Sequence, residues 1–396
     1  MATVSIEEPA ADERRPRLTL LASGFRPFFL LAAWYAALAL PLWLAAWTGT
    51  VDFAPPMGAH LWHAHEMLFG FAAAGLAGFL LTAAPNWTGT RPLSGAPLAL
   101  LVAVWIAGRA GMLGLLPPAV AVAADLAFLP LLGLCVGRAI VARSGRRNGV
   151  LLVFLLALTL ANAAVQLDLG VVDGTAALRT GVGLLVVLIG LIGGRIVPAF
   201  TQSGLRMAGH AATIAPAPTL DRLAVLALAV AVVADAAPVP AYLVAAAAGL
   251  AAVLHAVRLA RWQGWRAGGL PLVWVLHLGY AFVVAGAALL AAARLDLVPA
   301  SAALHAWSAG AVGTMLLAVM SRASLGHSGR TLAAGPALVA AYVLVVAGAA
   351  LRVAGAAAEG EATLPLTLLG GAAWSLGYLT FAVAFLPVWL RARADG

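Results

Sequence analysis

Residues 61–84 read L-W-H-A-H-E-M-L-F-G-F-A-A-A-G-L-A-G-F-L-L-T-A-A. Beyond Glu66 this stretch carries no charge, and as a helix it is long enough to cross the ~30 Å hydrocarbon layer of a bilayer. The same pattern recurs along the chain. Of 396 residues, 63% are hydrophobic and only 10% charged, and the mean hydropathy is +1.01. Soluble chains are about a quarter charged, so this one belongs in lipid. Apolar runs at 28–50, 61–84, 95–115, 117–141, 149–169 and 176–200 predict six spans. Runs at 220–236, 239–260, 270–293, 300–322, 331–354 and 364–390 predict six more. The expectation is an all-α, polytopic membrane protein of about twelve helices. A tail at 1–27 precedes one transmembrane domain at 28–392, with a central loop at 201–219 between its six-span halves. The turns at Pro117–Pro118 and Pro238–Pro240 are the thinnest separations.

Arginine sets the orientation. The chain has no Lys and 23 Arg, of which 19 fall in the N-terminal tail, the C-terminus and the loops on their side of the predicted bilayer. The alternate segments hold only Arg109, Arg179, Arg294 and Arg352. By the positive-inside rule both termini lie on the cytoplasmic side. This distribution also accounts for the net charge of +8 without a nucleic-acid partner. Residues 1–22 are polar and mixed in charge, and the first apolar run is too long for a signal peptide, so no cleavable leader is expected. Cys135, the single cysteine, allows neither an intramolecular disulfide nor a multi-thiolate metal site. Division into two halves invites an internal repeat, yet the histidine-rich second span has no counterpart in the eighth. Small-residue rows such as Gly70, Ala74 and Gly78 read as close helix packing.

Eight histidines carry the chemical interest. His60, His63 and His65 open the second span at its outer end, and His305 enters the tenth span from the same side. If spans two and ten are neighbours, His63, His65 and His305 can meet within ~8 Å of the outer apolar boundary. His60, His63 and Glu66 share a helix face, whereas His65 points about 200° away from His63. One helix can then serve two centres, or one imidazole ligates while the other orients. Glu66 can hold a ligand's second ring nitrogen. Decoration of a helix end is the plain reading of His60. Ionisable groups within a span are costly and usually functional, which favours a role for His63, His65 and Glu66.

A second group lies toward the inner side: His277 in L-H-L-G-Y, His255, and His327 in S-R-A-S-L-G-H-S-G-R. Arg195 in G-G-R-I-V-P-A-F and Arg322 can clamp carboxylates there, or anchor the inner leaflet. Arg258, Arg261 and Arg330 read as anchors, and His210 as a solvated loop residue. Asp125 sits near mid-span without an obvious local partner. It is a proton-relay member, is paired with an arginine, or is held protonated. Met67, Met315 and Met320 lie near histidines as soft copper ligands or, more commonly, as packing.

These residues also carry a family resemblance. S-G-F-R-P-F-F-L at 23–30, H-A-H-E-M-L-F-G-F at 63–71, G-G-R-I-V-P-A-F-T at 193–201 and L-H-L-G-Y at 276–280 resemble the NnrS family. So does the long block L-H-A-W-S-A-G-A-V-G-T-M-L-L-A-V-M-S-R-A-S-L-G-H-S-G-R at 304–330. The resemblance implies a bacterial inner-membrane protein containing haem, expected as b-type, and copper. The implied partner is nitric oxide or a related small ligand, in denitrification and resistance to nitrosative stress. Carried over residue by residue, the metal and haem ligands are His63, His65, His277, His305 and His327. Glu66, Arg195, Arg322 and Arg330 are their companions. Departures are the alanine-rich spans and Ser308, where the family pattern suggests Thr.

Two other classes compete. Orthodox haem–copper oxidases and nitric oxide reductases need a His in the sixth span and a His-His pair, and both are missing. A distant redox relative stays open. A secondary transporter suits twelve spans, but P-N-W-T-G-T-R-P-L-S-G after the second span lacks the charged signature of the major facilitator group.

Overall fold

The computed structural model describes residues 18–143, 148–167, 173–358 and 360–395. Arg14, Arg15, Arg17, Arg146 and Arg147, used above for orientation, lie outside the described residues, as does most of the 1–27 tail. Twelve helical rods follow one another, with no strand among the described residues. They are α1 Phe25–Trp47, α2 Ala59–Thr88, α3 Ala96–Met112, α4 Pro118–Arg143, α5 Val150–Leu167 and α6 Gly174–Met207. The series continues with α7 Pro218–Ala236, α8 Ala241–Arg261, α9 Pro271–Ala293, α10 Ala300–His327, α11 Pro336–Ala357 and α12 Thr363–Leu390. Ten are long and apolar enough to span a membrane. The exceptions are short α3 and α7, which carries Asp221, Arg222 and Asp235. Helix α7 is accommodated because its acids pair across the bundle: Arg258 Nε donates to Asp221 Oδ1 at 2.6 Å, and Arg294 Nε to Asp235 Oδ1 at 2.7 Å.

The expected boundaries shift at the centre of the chain. Helix α6 runs on to Met207 rather than ending near 200, so the loop expected over 201–219 shrinks to a short connection before Pro218. Both thin turns do separate helices, which end at Met112 and Ala236 and restart at Pro118 and Ala241.

Packing follows threes of four helices rather than two halves of six. Helices α2, α6 and α10 touch one another at the centre. Around them α3 packs on α4, α4 on α5, α7 on α8, α8 on α9, α11 on α12, and α12 returns to α1. Each successive group of four thus sends its second helix inward. Of all spans α2 and α10 are the most enclosed.

The two share a local irregularity. Each widens to π-helical turns directly after a histidine, over Glu66–Ala72 following His65 and over Ala306–Val312 following His305. A π segment loosens the regular backbone ladder and swings the following side chains around the axis. In an apolar environment its exposed carbonyls need donors from outside the helix. Trp105 Nε1 donates to Gly70 O at 3.1 Å, and Trp374 Nε1 to Ala309 O at 3.2 Å. Aromatic residues of α3 and α12 therefore secure the distortions of α2 and α10.

Candidate functional site

Helix α2 presents its two central histidines to different surroundings. His63 faces a cavity of about 510 Å³ at the arginine-poor end of the bundle. Its walls also carry His60, His305, Met67, Ser308, Arg179 and Arg352, and are otherwise largely apolar and aromatic. The size lies within the usual range for a ligand chamber, about 300–1,000 Å³. Spans two and ten are indeed neighbours, and the chamber brings His63 and His305 together from them.

Several of the chamber's polar groups keep unused hydrogen-bonding capacity. His305 Nδ1 donates to Ser301 O at 2.7 Å, which leaves Nε2 with its lone pair available to a metal. The His63 ring stacks on Trp43, centroids 4.1 Å apart and planes 18° apart, so its orientation is held by packing. Trp43 Nε1 is buried with no hydrogen-bond partner. A buried indole N–H left unpaired is costly, and a bound polar group is the natural acceptor. Arg179 and Arg352 lack carboxylate partners among the described residues and supply positive charge to the wall.

His65 belongs elsewhere. It is wholly buried, and both ring nitrogens are engaged: Nδ1 donates to Glu66 Oε1 at 2.8 Å and Nε2 to Asn162 Oδ1 at 2.9 Å. Asp125 Oδ2 lies 3.3 Å from the same Nε2. Arg109 bridges the two carboxylates, donating to Glu66 Oε1 at 2.8 Å and to Asp125. Asn162 Nδ2 and Gln166 Nε2 each donate to Asp125 Oδ2 at 2.8 Å, and the Tyr35 hydroxyl donates to Glu66. Two carboxylates against one guanidinium and an imidazole with acceptors at both nitrogens make a set that is neutral when His65 is an imidazolium. Buried charges persist in lipid only when paired and hydrogen-bonded in this way. Asp125 thus takes the arginine-paired form among the alternatives raised above. Gly70 allows the close approach: a Cβ there would lie 2.6 Å from the Tyr35 ring.

The inner histidines do not converge. His327 lines a larger cavity of about 1300 Å³ at the arginine-rich end, together with Arg195, Arg322, Arg393, Phe200 and Trp87. The Arg322 guanidinium lies 3.9 Å from the Phe200 ring centroid. His277 faces neither cavity. Thr201 Oγ1 donates to Val197 O and accepts from His277 Nε2 at 2.8 Å. The backbone at Gly264 covers the other side, where even a Cβ would collide with the imidazole. His255 is likewise occupied, with Nδ1 2.7 Å from the Tyr280 hydroxyl and Nε2 donating to Ala224 O at 3.0 Å. No group of three or more His, Cys, Asp or Glu side chains is placed to hold a metal ion among the described residues.

Tyr35, Trp43, Arg109, Arg179 and Arg352 were not singled out by sequence. A signal existed for three of them. The arginine-poor side holds four arginines that break the orientation bias. Arg109 joins the buried ion network, Arg179 and Arg352 line the chamber, and Arg294 pairs with Asp235.

A twelve-helix membrane bundle with two imidazoles from different helices lining one chamber defines the class of protein. No curated protein matches the chain. The family model described as NnrS protein matches residues 19–393, nearly the whole chain, and the chain belongs to the NnrS family.

Proposed function

We propose that the chamber holds a haem between His63 and His305, and that the protein uses it to handle nitric oxide or a metal–nitrosyl product at the bacterial inner membrane. The observation that carries this reading is the convergence of two imidazoles from α2 and α10 on one largely apolar chamber. Haem iron supplies coordination chemistry for diatomic ligands, tuned by its axial groups and by the polarity around it. The residues present suit such a group. Ser301 O aims the His305 lone pair, and Trp43 fixes the plane of His63. Arg179 and Arg352 meet anionic carboxylates by charge-assisted hydrogen bonds. Trp43 Nε1–H remains free to donate to a polar group in the chamber. The apolar walls exclude water and strengthen each of these electrostatic contacts.

His65 and Glu66 act in this reading as a positioning pair: their network holds the start of the π segment, whose other face forms the chamber wall. Arg195, Arg322 and His327 line the separate inner cavity, and His277 has a packing role. Copper, implied by the resemblance, fits less well. The described residues offer no three-ligand set of His, Cys, Asp or Glu, and the proposed chemistry does not run through it.

The test is an absorption spectrum with metal analysis on detergent-purified protein, for the wild type, His63→Ala, His305→Ala, His65→Ala and His277→Ala. A Soret band lost in the first two variants and kept in the last two is the expected result. Addition of nitric oxide then separates two roles. A shifted band means that one axial position opens to the gas, and an unmoved band means a six-coordinate centre suited to electron transfer. Colourless, metal-free protein from haem-replete cells would overturn the proposal in favour of transport.

A further inference from the structure

The outer and inner cavities are both bordered by a third. Between them lies a small void of about 70 Å³, lined only by residues of α2, α6 and α10. It shares Ala72, Leu185 and Val312 with the outer chamber. It shares Phe79, Ile192, Ile196 and Val319 with the inner one. Along the three central helices the cavities therefore follow one another with shared walls. Ala72 and Val312, where the outer chamber meets this neck, are the final residues of the two π segments. The distortions that follow His65 and His305 thus also shape the junction.

No polar side chain lines the neck. A water molecule needs two to four polar partners to remain in a cavity, so no chain of waters, and no proton wire, is supported there. An ion would lose its hydration with nothing to replace it, at a cost of many kcal/mol. A small uncharged molecule meets neither penalty. The cationic groups of the inner cavity, Arg195 and Arg322, draw anions to the entrance that the neck then rejects.

We propose that this neck is a conduit for a small uncharged diatomic gas, joining the arginine-rich face of the protein to the outer chamber along the axis of α2, α6 and α10. That the gas is nitric oxide rests on the function proposed for the chamber, but the conduit itself does not. The neck admits a neutral reactant and bars its anionic oxides and protons.

Two variants narrow the neck at different levels, Ala72→Phe at its outer end and Val319→Trp at its inner end. Crystals of the purified protein under xenon pressure are expected to show xenon in the neck of the wild type and none there in Ala72→Phe. An empty wild-type neck would overturn the conduit whether or not the protein is coloured. In the pigmented protein, carbon monoxide recombination after flash photolysis is expected to slow about tenfold or more in both variants, with the Soret band unmoved in Val319→Trp, whose side chain lies outside the chamber. Val319→Ala, which widens the neck, should recombine at least as fast as the wild type and serves as the folding control. Unchanged rates in Ala72→Phe and Val319→Trp, despite lost xenon, would show that the gas arrives by another route and would also overturn the conduit. A protein without a Soret band counts against the haem reading alone and leaves xenon to decide the neck.

Discussion

His63 and His65 stand two residues apart on one helix and live in opposite worlds. His63 stacks on an indole in a chamber with no counter-charge at its ring, whereas His65 is locked at both nitrogens between acceptors. Helical geometry separates them by about 200°. The packing partners then decide their chemistry: α1 and α10 bring aromatic and apolar groups to one, and α3, α4 and α5 bring ions and amides to the other. Identical residue types within one turn can thus face an open chamber on one side and a closed polar network on the other.

The sharpest way to break this contrast is to unbalance the ionic side. Asp125→Ala leaves Arg109 and His65 facing Glu66 alone, and His65→Ala leaves two carboxylates against one guanidinium. Each should cost about 3–5 kcal/mol, read as a lowered melting temperature in detergent. Asp125→Leu combined with Arg109→Leu should recover much of that loss, since a buried pair can be replaced by apolar side chains of similar volume. A double variant no better than the single would mean that the network is not held together by charge balance. On the other face, His63→Ala should remove haem absorbance yet change the stability of the haem-free protein by only about 1 kcal/mol. If His65→Ala bleached the protein while His63→Ala kept its colour, the assignment of the two faces would be reversed.

Smaller effects sharpen the picture. Gly70→Ala should cost about 1–3 kcal/mol by pushing on Tyr35, measured by thermal unfolding, with the spectrum retained. Arg352→Gln should weaken haem retention by about tenfold, the loss of one charge-assisted hydrogen bond, measured by haem transfer to an apoprotein acceptor. His277→Ala should be the mildest, about 1 kcal/mol for its single hydrogen bond to Thr201, with no spectral change.

Sequence reading reached one side of this contrast and stopped short of the other. The placement of His63, His65 and His305 at one depth followed from counting residues along helices that enter from the same side, but that count could not tell that only His63 and His305 of the three share the chamber. Nor did it give the destination of Asp125. Its partners Arg109, Asn162 and Gln166 lie on α3 and α5, and periodicity within α4 carries no information about them. The four arginines on the wrong side of the orientation bias were the available hint. A bias read only as a count passes over its exceptions, yet in lipid each exception needs a partner or a purpose.

By itself the sequence determined that this chain is a membrane bundle of twelve helices and a member of the NnrS family. Hydropathy and helix length follow from the bilayer's thickness and need no knowledge of neighbours. Only the tertiary structure decided that α2, α6 and α10 form the centre, and that one histidine of α2 meets His305 while the other meets Asp125. It alone showed the apolar void that borders both cavities. The reason is physical: contacts between helices depend on which faces pack together across long separations in the chain, and a residue's chemistry inside a membrane is set by those contacts.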